Sequence, residues 1–223
     1  MRFLSRTCLA AAAIFAAADA KAADPDATLG MKPPEGAVVL FDGNSLDGWV
    51  KKDGSGPAPW PVKDGFFAVG PKTGDIKTKA TFGDFTLHVE FNVPYMPEAK
   101  GQARGNSGVY LQGAYELQVL DSYGLKSQNN DCVGIYQQVV PAVNACKPPL
   151  QWQTYDITFN AAKGDKKARL SVVQNGQKII DDKEIAPTPG GINDFKVGGP
   201  GPILLQDHGN DVQYRNIWIV PAK

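Results

Sequence analysis

Apolar and polar residues alternate with a period of two through much of this chain, and no segment holds a helical period over ten residues. Phe85, Leu87, Val89 and Phe91 interleave with Thr86, His88, Glu90 and Asn92, which puts four apolar side chains on one face of an extended strand. Tyr155, Ile157 and Phe159 alternate with Thr154, Asp156 and Thr158, and the stretches 203–205 and 212–220 follow the same habit. Between the runs 169–173 and 178–180 stands Asn175-Gly176, a hairpin signal, because both central positions of a type I′ turn need positive φ. Gly and Pro, 24 and 17 of 223 residues, break helices too often for a bundle, while 43% hydrophobic residues are too many for disorder. These features predict one all-β domain, a two-sheet antiparallel sandwich.

Residues 1–22 read as a secretory signal peptide: Arg2 and Arg6 precede an apolar run from Leu9 to Ala18, then small residues lead to Ala23. The run is too short to span a bilayer, so no membrane insertion is expected. A periplasmic or secreted bacterial protein follows from this reading. The 23 Lys and Arg balance the 23 Asp and Glu, and no basic face for nucleic acid is foreseen. Residues 23–36, with Pro25, Pro33 and Pro34, read as a tether, leaving 37–223 as the folded domain, expected to be a monomer. Cys8 leaves with the signal peptide. Cys132 and Cys146 remain as an even pair, and in an oxidising compartment they are expected to form a disulfide worth roughly 3 kcal/mol; free thiols or a metal pair are the competing readings.

Two long connections, 94–105 and 122–149, flank the segment richest in chemistry, and loops of that length in a compact domain tend to be functional. That segment runs from Asn106 to Asp121. On a regular strand Glu116 and Gln118 point one way and Tyr115, Leu117 and Val119 the other; Asp121 joins Glu116 only if a bulge near Val119-Leu120 resets the phase. Two carboxyls and an amide on one face would suit sugar cleavage or proton transfer, whereas a solvated outer face with Asp121 capping a turn is the alternative. His208, in Gln206-Asp207-His208-Gly209, is either a cleft residue or a turn residue. His88 sits either on the concave surface or simply exposed on its strand, with exposure the favoured reading; Arg215 reads as an ion-pair or stacking partner, and the four Trp as core or sugar platforms. No GxGxxG, P-loop or HExxH string argues for a nucleotide or a zinc protease site.

Four blocks, Phe41 to Trp49, Asn106 to Asp121, Lys147 to Tyr155, and Gly201 to Gly209 with Tyr214-Arg215-Asn216-Ile217, together resemble the 3-keto-disaccharide hydrolase domain family. They occur in the family's order and span about residues 37–220. The resemblance implies a concanavalin A-like jelly roll and an enzyme acting on 3-keto-glycosides, with a small carbohydrate as partner. The fold is shared with laminarinase-type and lichenase-type glycosidases, whose site strand reads Glu-x-Asp-x-x-Glu; the matching positions here are Glu116, Gln118 and Asp121. By that analogy Glu116 is a nucleophile and Asp121 an acid/base, but Gln118 cannot share a proton. A 3-keto sugar offers another route, since its ketone acidifies the C2 hydrogen. Glu116 is then the first choice of base and His208 the second, with Asp121 or His208 protonating the leaving oxygen. Arg104 and Asn106 are expected to clamp O3, and Gln118, Gln206 and Tyr123 to contact the sugar. No cofactor is required by the sequence; a divalent metal on Asp207, His208 and Glu116 would fit the chemistry, but no ligand spacing demands one. A non-catalytic carbohydrate-binding module and a conventional endo-β-glucanase are the other two readings.

Overall fold

The computed structural model describes residues 24–222, so the signal-peptide reading lies outside the described residues. The strands are β1 (Val38–Phe41), β2 (Trp49–Lys51), β3 (Val62–Lys63), β4 (Phe66–Ala68), β5 (Ile76–Thr78), β6 (Phe85–Asn92) and β7 (Ser107–Leu111). They continue with β8 (Tyr115–Val119), β9 (Gln153–Asn160), β10 (Ala168–Gln174), β11 (Gln177–Ile185), β12 (Leu204–Leu205) and β13 (Gln213–Pro221). One sheet runs β11-β10-β9-β6-β13-β4-β3, with β1 also paired to β13; the other runs β2-β5-β12-β7-β8. All ladders are antiparallel, and the two sheets stack as a concanavalin A-like jelly-roll sandwich.

The predicted alternation sets which face meets which. Phe85, Leu87, Val89 and Phe91 of β6 and Tyr155, Ile157 and Phe159 of β9 enter the core with Tyr115, Leu117 and Val119 of β8. Trp49 is fully buried there and donates its indole N–H to the Leu40 carbonyl at 2.8 Å. Asn175 and Gly176 turn β10 into β11 with φ of 50° and 75°, as the hairpin signal requires. A Cβ on Gly176 would also stand 2.6 Å from the Asp24 carbonyl oxygen. Gly176→Ala is therefore expected to destabilise by about 1–3 kcal/mol, read as a lower urea midpoint with unchanged slope.

Two expectations are corrected. His88 is not exposed: it is wholly buried on the outer face of the eight-stranded sheet, 2.6 Å from Asp156 through Nδ1 and stacked on Trp218. The segment 24–31 lies over that face, where the Gly30 N–H donates to Glu90 and the Met31 carbonyl accepts from Asn216. The second correction is that the expected disulfide is not formed. Cys132 and Cys146 are free thiols, and the Gln174 amide donates to both sulfurs at 3.4 Å. Hydrogen bonds hold the long loop instead: Tyr155 Oη accepts the Val133 N–H and donates to the Gln118 carbonyl, while Asn144 donates to the Ser122 and Leu125 carbonyls.

Candidate active site

Strands β7 and β8 are buried on both faces. One face meets the eight-stranded sheet; the other lies under loops, and there the polar residues of the Asn106–Asp121 segment form the floor of a cleft of about 320 Å³. Pairing is regular from Ser107 opposite Val119 to Leu111 opposite Tyr115, so two rows of outward side chains follow from register. In one row Leu204, Tyr110 and Glu116 are neighbours. In the next, Gly108 lies between Gln118, its ladder partner, and Gln206, whose N–H donates to the Gly108 carbonyl at 3.0 Å. Asn106 precedes this row on the β7 side.

Among the described residues Glu116 is the only carboxyl that lines this cleft, and it is 5% exposed. Its carboxyl lies over Gly108, where a Cβ would stand 2.7 Å from Oε1. Burial pushes its pKa up to about 7; the Tyr110 hydroxyl opposes that rise, and the negative charge of Asp75 adds to it. Tyr110 is itself raised, first by burial and then by Glu116, and its hydroxyl faces the Pro189 carbonyl at 3.1 Å. Asp75 is held between the Lys52 ammonium at 3.0 Å and the Asp207 N–H at 2.9 Å, and Lys52 also donates to the Gly190 carbonyl. That bridge ties the Pro189-Gly190 strap and the turn carrying His208 to the same anchor.

The predicted site residues divide into two groups. Glu116, Gln118, Asn106, Gln206 and His208 converge on the cleft, with His208 exposed at its rim. Asp121 and Arg104 do not join them. Because β8 ends in register at Val119, Asp121 is turned away; its N–H meets the Arg104 carbonyl and its carboxylate takes both Nε and Nη2 of Arg104, at 3.2 and 2.7 Å. Arg104 is thus engaged in an internal ion pair and lies outside the cleft lining. Tyr123 is 50% exposed and lies outside the cleft lining. Asp207 accepts the Gly74 and Gly209 N–H groups, and among the described residues no group of three or more His, Cys, Asp or Glu converges on a metal position.

The two long loops do flank the cleft as expected, but the residues they contribute and a third connection were not foreseen. Gln102 arrives from the first long loop, Asn130 and Tyr136 from the second, and Pro189 and Gly190 from the connection between β11 and β12. The Gly and Pro density of 187–202 was the available signal for that strap. None of the four Trp lines the cleft; its aromatic walls are Tyr110 and Tyr136.

The jelly roll carries one buried carboxyl in an open polar cleft on its smaller sheet, and its relatives place it among carbohydrate-acting enzyme domains. More narrowly, the chain belongs to the 3-keto-alpha-glucoside-1,2-lyase-like domain family, whose model matches residues 36–220. It is 25% identical over 244 residues to a 3-keto-disaccharide hydrolase of Bacteroides thetaiotaomicron, covering 88% of this chain and 82% of that one. A Parabacteroides distasonis crystal structure, named as a glycosyl hydrolase by assignment, is 39% identical with a TM-score of 0.76, and 85% of each chain is covered. A second from the same organism, 21% identical with a TM-score of 0.65, shares the fold over 85% of this chain and 95% of its own. The relatives are bacterial, and among the described residues no helix is long and apolar enough to cross a membrane.

Proposed function

We propose that this protein is an exported enzyme that cleaves 3-keto-glycosides by removing the C2 proton, with Glu116 as the base. The observation that carries the reading is the lone carboxyl. Double displacement and direct inversion both need two carboxyls flanking the scissile bond, and the cleft offers one, poised near neutrality. A base of that pKa suits proton abstraction next to a ketone.

Glu116 takes the C2 proton and the electron pair moves to O3 as an enolate. Reformation of the C3 ketone drives formation of the C1–C2 double bond and breaks the C1–O bond, while His208, at the rim, gives a proton to the leaving oxygen. Water adding its hydroxyl at C1 and a proton at C2 completes net hydrolysis; release before that step makes the enzyme a lyase. The family match and the Bacteroides relative's name support the keto-sugar substrate.

The test is a substrate panel with the mature protein: a 3-keto-glucoside, its unoxidised parent and a β-glucan. Turnover of the keto form alone is expected. Turnover of the glucan would replace this reading with a conventional glycanase, and binding without turnover with a carbohydrate-binding module.

A further inference from the structure

The cleft is closed on one side. The second long loop pairs with the outer edge of β8, where the Gln118 N–H meets the Gly134 carbonyl and the Val133 N–H meets the Gln118 carbonyl, at 3.0 and 2.9 Å. A substrate that extends past the cleft therefore runs the other way, across β12 towards β5 and β2. Register defines the floor in that direction. Val50, Lys77, Leu204, Tyr110 and Glu116 form one row across the five strands, each opposite the next, so their side chains share the outer face. Lys77 is half-buried there. It lies three inter-strand steps from Glu116, about 14 Å, a span that two joined sugar rings bridge and a single ring does not.

A second cavity of about 600 Å³ surrounds Lys77, and it shares both walls with the cleft. On one side the strap continues from Pro189-Gly190 in the cleft to Ile192-Asn193 in the cavity. On the other, Gln206 and His208 of the cleft are joined to Thr73 and Gly74 of the cavity through Asp207, whose carboxylate accepts the Gly74 N–H at 2.9 Å. Lys52 marks the border. Two of its three ammonium hydrogens go to Asp75 and to the Gly190 carbonyl, at 3.0 and 2.6 Å, and the third remains for a ligand. His208 follows Asp207 directly, so the group placed to protonate the leaving oxygen stands where the two cavities meet.

From this geometry we infer that the cavity over β2 and β5 binds the leaving group, and that the leaving group it fits is an uncharged, hydroxyl-rich ring. Three ammonium groups line it, on Lys51, Lys52 and Lys77, and three carboxylates, on Asp53, Asp75 and Asp194. Their charges cancel, so an anion gains nothing from the field. Donors and acceptors are both at hand, which suits hydroxyls that give one hydrogen bond and take others. Among the described residues no aromatic side chain lines the cavity, so a flat phenol finds no stacking surface. The volume is that of an ordinary small-molecule site. That the ligand is a leaving group rests on the reaction proposed above; that the cavity binds a sugar does not.

The test compares a neutral 3-keto-disaccharide with methyl 3-keto-glucoside, whose leaving group is too small to reach β5. Lys77→Ala and Asn193→Ala should each lower kcat/KM for the disaccharide roughly tenfold more than for the methyl compound, mostly through KM. Phenyl 3-keto-glucoside should follow the methyl compound. Arg169→Gln, on the distant β10, should leave all three as they are, and circular dichroism checks each fold. General damage lowers all three substrates together. An equal fall for disaccharide and methyl compound, or no fall for either, overturns the site; a fall confined to the phenyl compound overturns the class of leaving group. Calorimetry with the unoxidised disaccharide reads the site without the reaction. It should bind wild type about tenfold more tightly than methyl glucoside does, and Lys77→Ala should remove that advantage. That binding pattern with no turnover of any keto substrate keeps the site and removes the proposed reaction; turnover with equal affinities for the two unoxidised glucosides does the reverse.

Discussion

Glu116→Gln is expected to lower turnover of a 3-keto-glucoside by about 10²–10⁴-fold, the usual worth of a positioned general base, and at the same time to make the protein more stable above pH 7. The second effect follows from the same burial. Glu116 titrates near 7 in the fold against an ordinary value of 4.5, so the unfolded chain gives up its proton first. Stability associated with this group is full below about pH 4.5 and falls as pH rises towards 7 and beyond, by up to roughly 3 kcal/mol. Glutamine has no proton to lose. Thermal melts of the two proteins should therefore coincide near pH 4 and separate by several degrees at pH 8, with the inactive variant the more stable. Equal melting at pH 8 would show that Glu116 is not held protonated by its surroundings.

The largest loss of stability should come from the opposite face of the molecule. Glu90 is wholly buried, and burial alone would raise its pKa; bonds from His88, Asn216, Arg215 and the Gly30 N–H outweigh that and hold it at about 2. Arg215 donates Nε to Glu90 at 2.7 Å and stacks its guanidinium 4.1 Å above the Trp152 ring. Arg215→Met leaves a buried carboxylate short of its cation, and a cost of about 2–4 kcal/mol is expected, the half-exposed guanidinium keeping it below the worst cases. A carboxyl with a lowered folded pKa stabilises above its unfolded pKa and loses that contribution as pH falls from about 4.5 to 2. The variant should therefore unfold at a higher pH on acid titration, with Arg215→Lys in between. Per folded molecule, activity should not change, because the cluster sits on the other sheet. A urea midpoint within experimental scatter of wild type would contradict the role given to the pair.

How far the sequence could be read follows from the range of each interaction. Alternation is local, so the strands at Phe85–Asn92 and Gln153–Asn160 and the turn at Asn175-Gly176 were legible, as was the shared face of Glu116 and Gln118. What lay beyond the end of a strand was not. Whether Asp121 rejoins Glu116 depends on a bulge, and the regular ladder to Val119 delivers it to Arg104 instead. Burial of His88 depends on the segment 24–31 crossing the back sheet, a contact between distant residues that no local pattern encodes. The same holds for Gln102, which orients the cleft's amides from a loop with no periodicity.

The most direct test of Glu116 as a base at C2 is the fate of that hydrogen. A 3-keto-glucoside carrying deuterium at C2 is cleaved in ordinary water, and the product is analysed by mass spectrometry before the free keto sugar exchanges. Wild-type protein should release a product that has lost its C2 deuterium, and Glu116→Gln should release almost none. Cleavage at the wild-type rate with the deuterium retained would contradict proton abstraction.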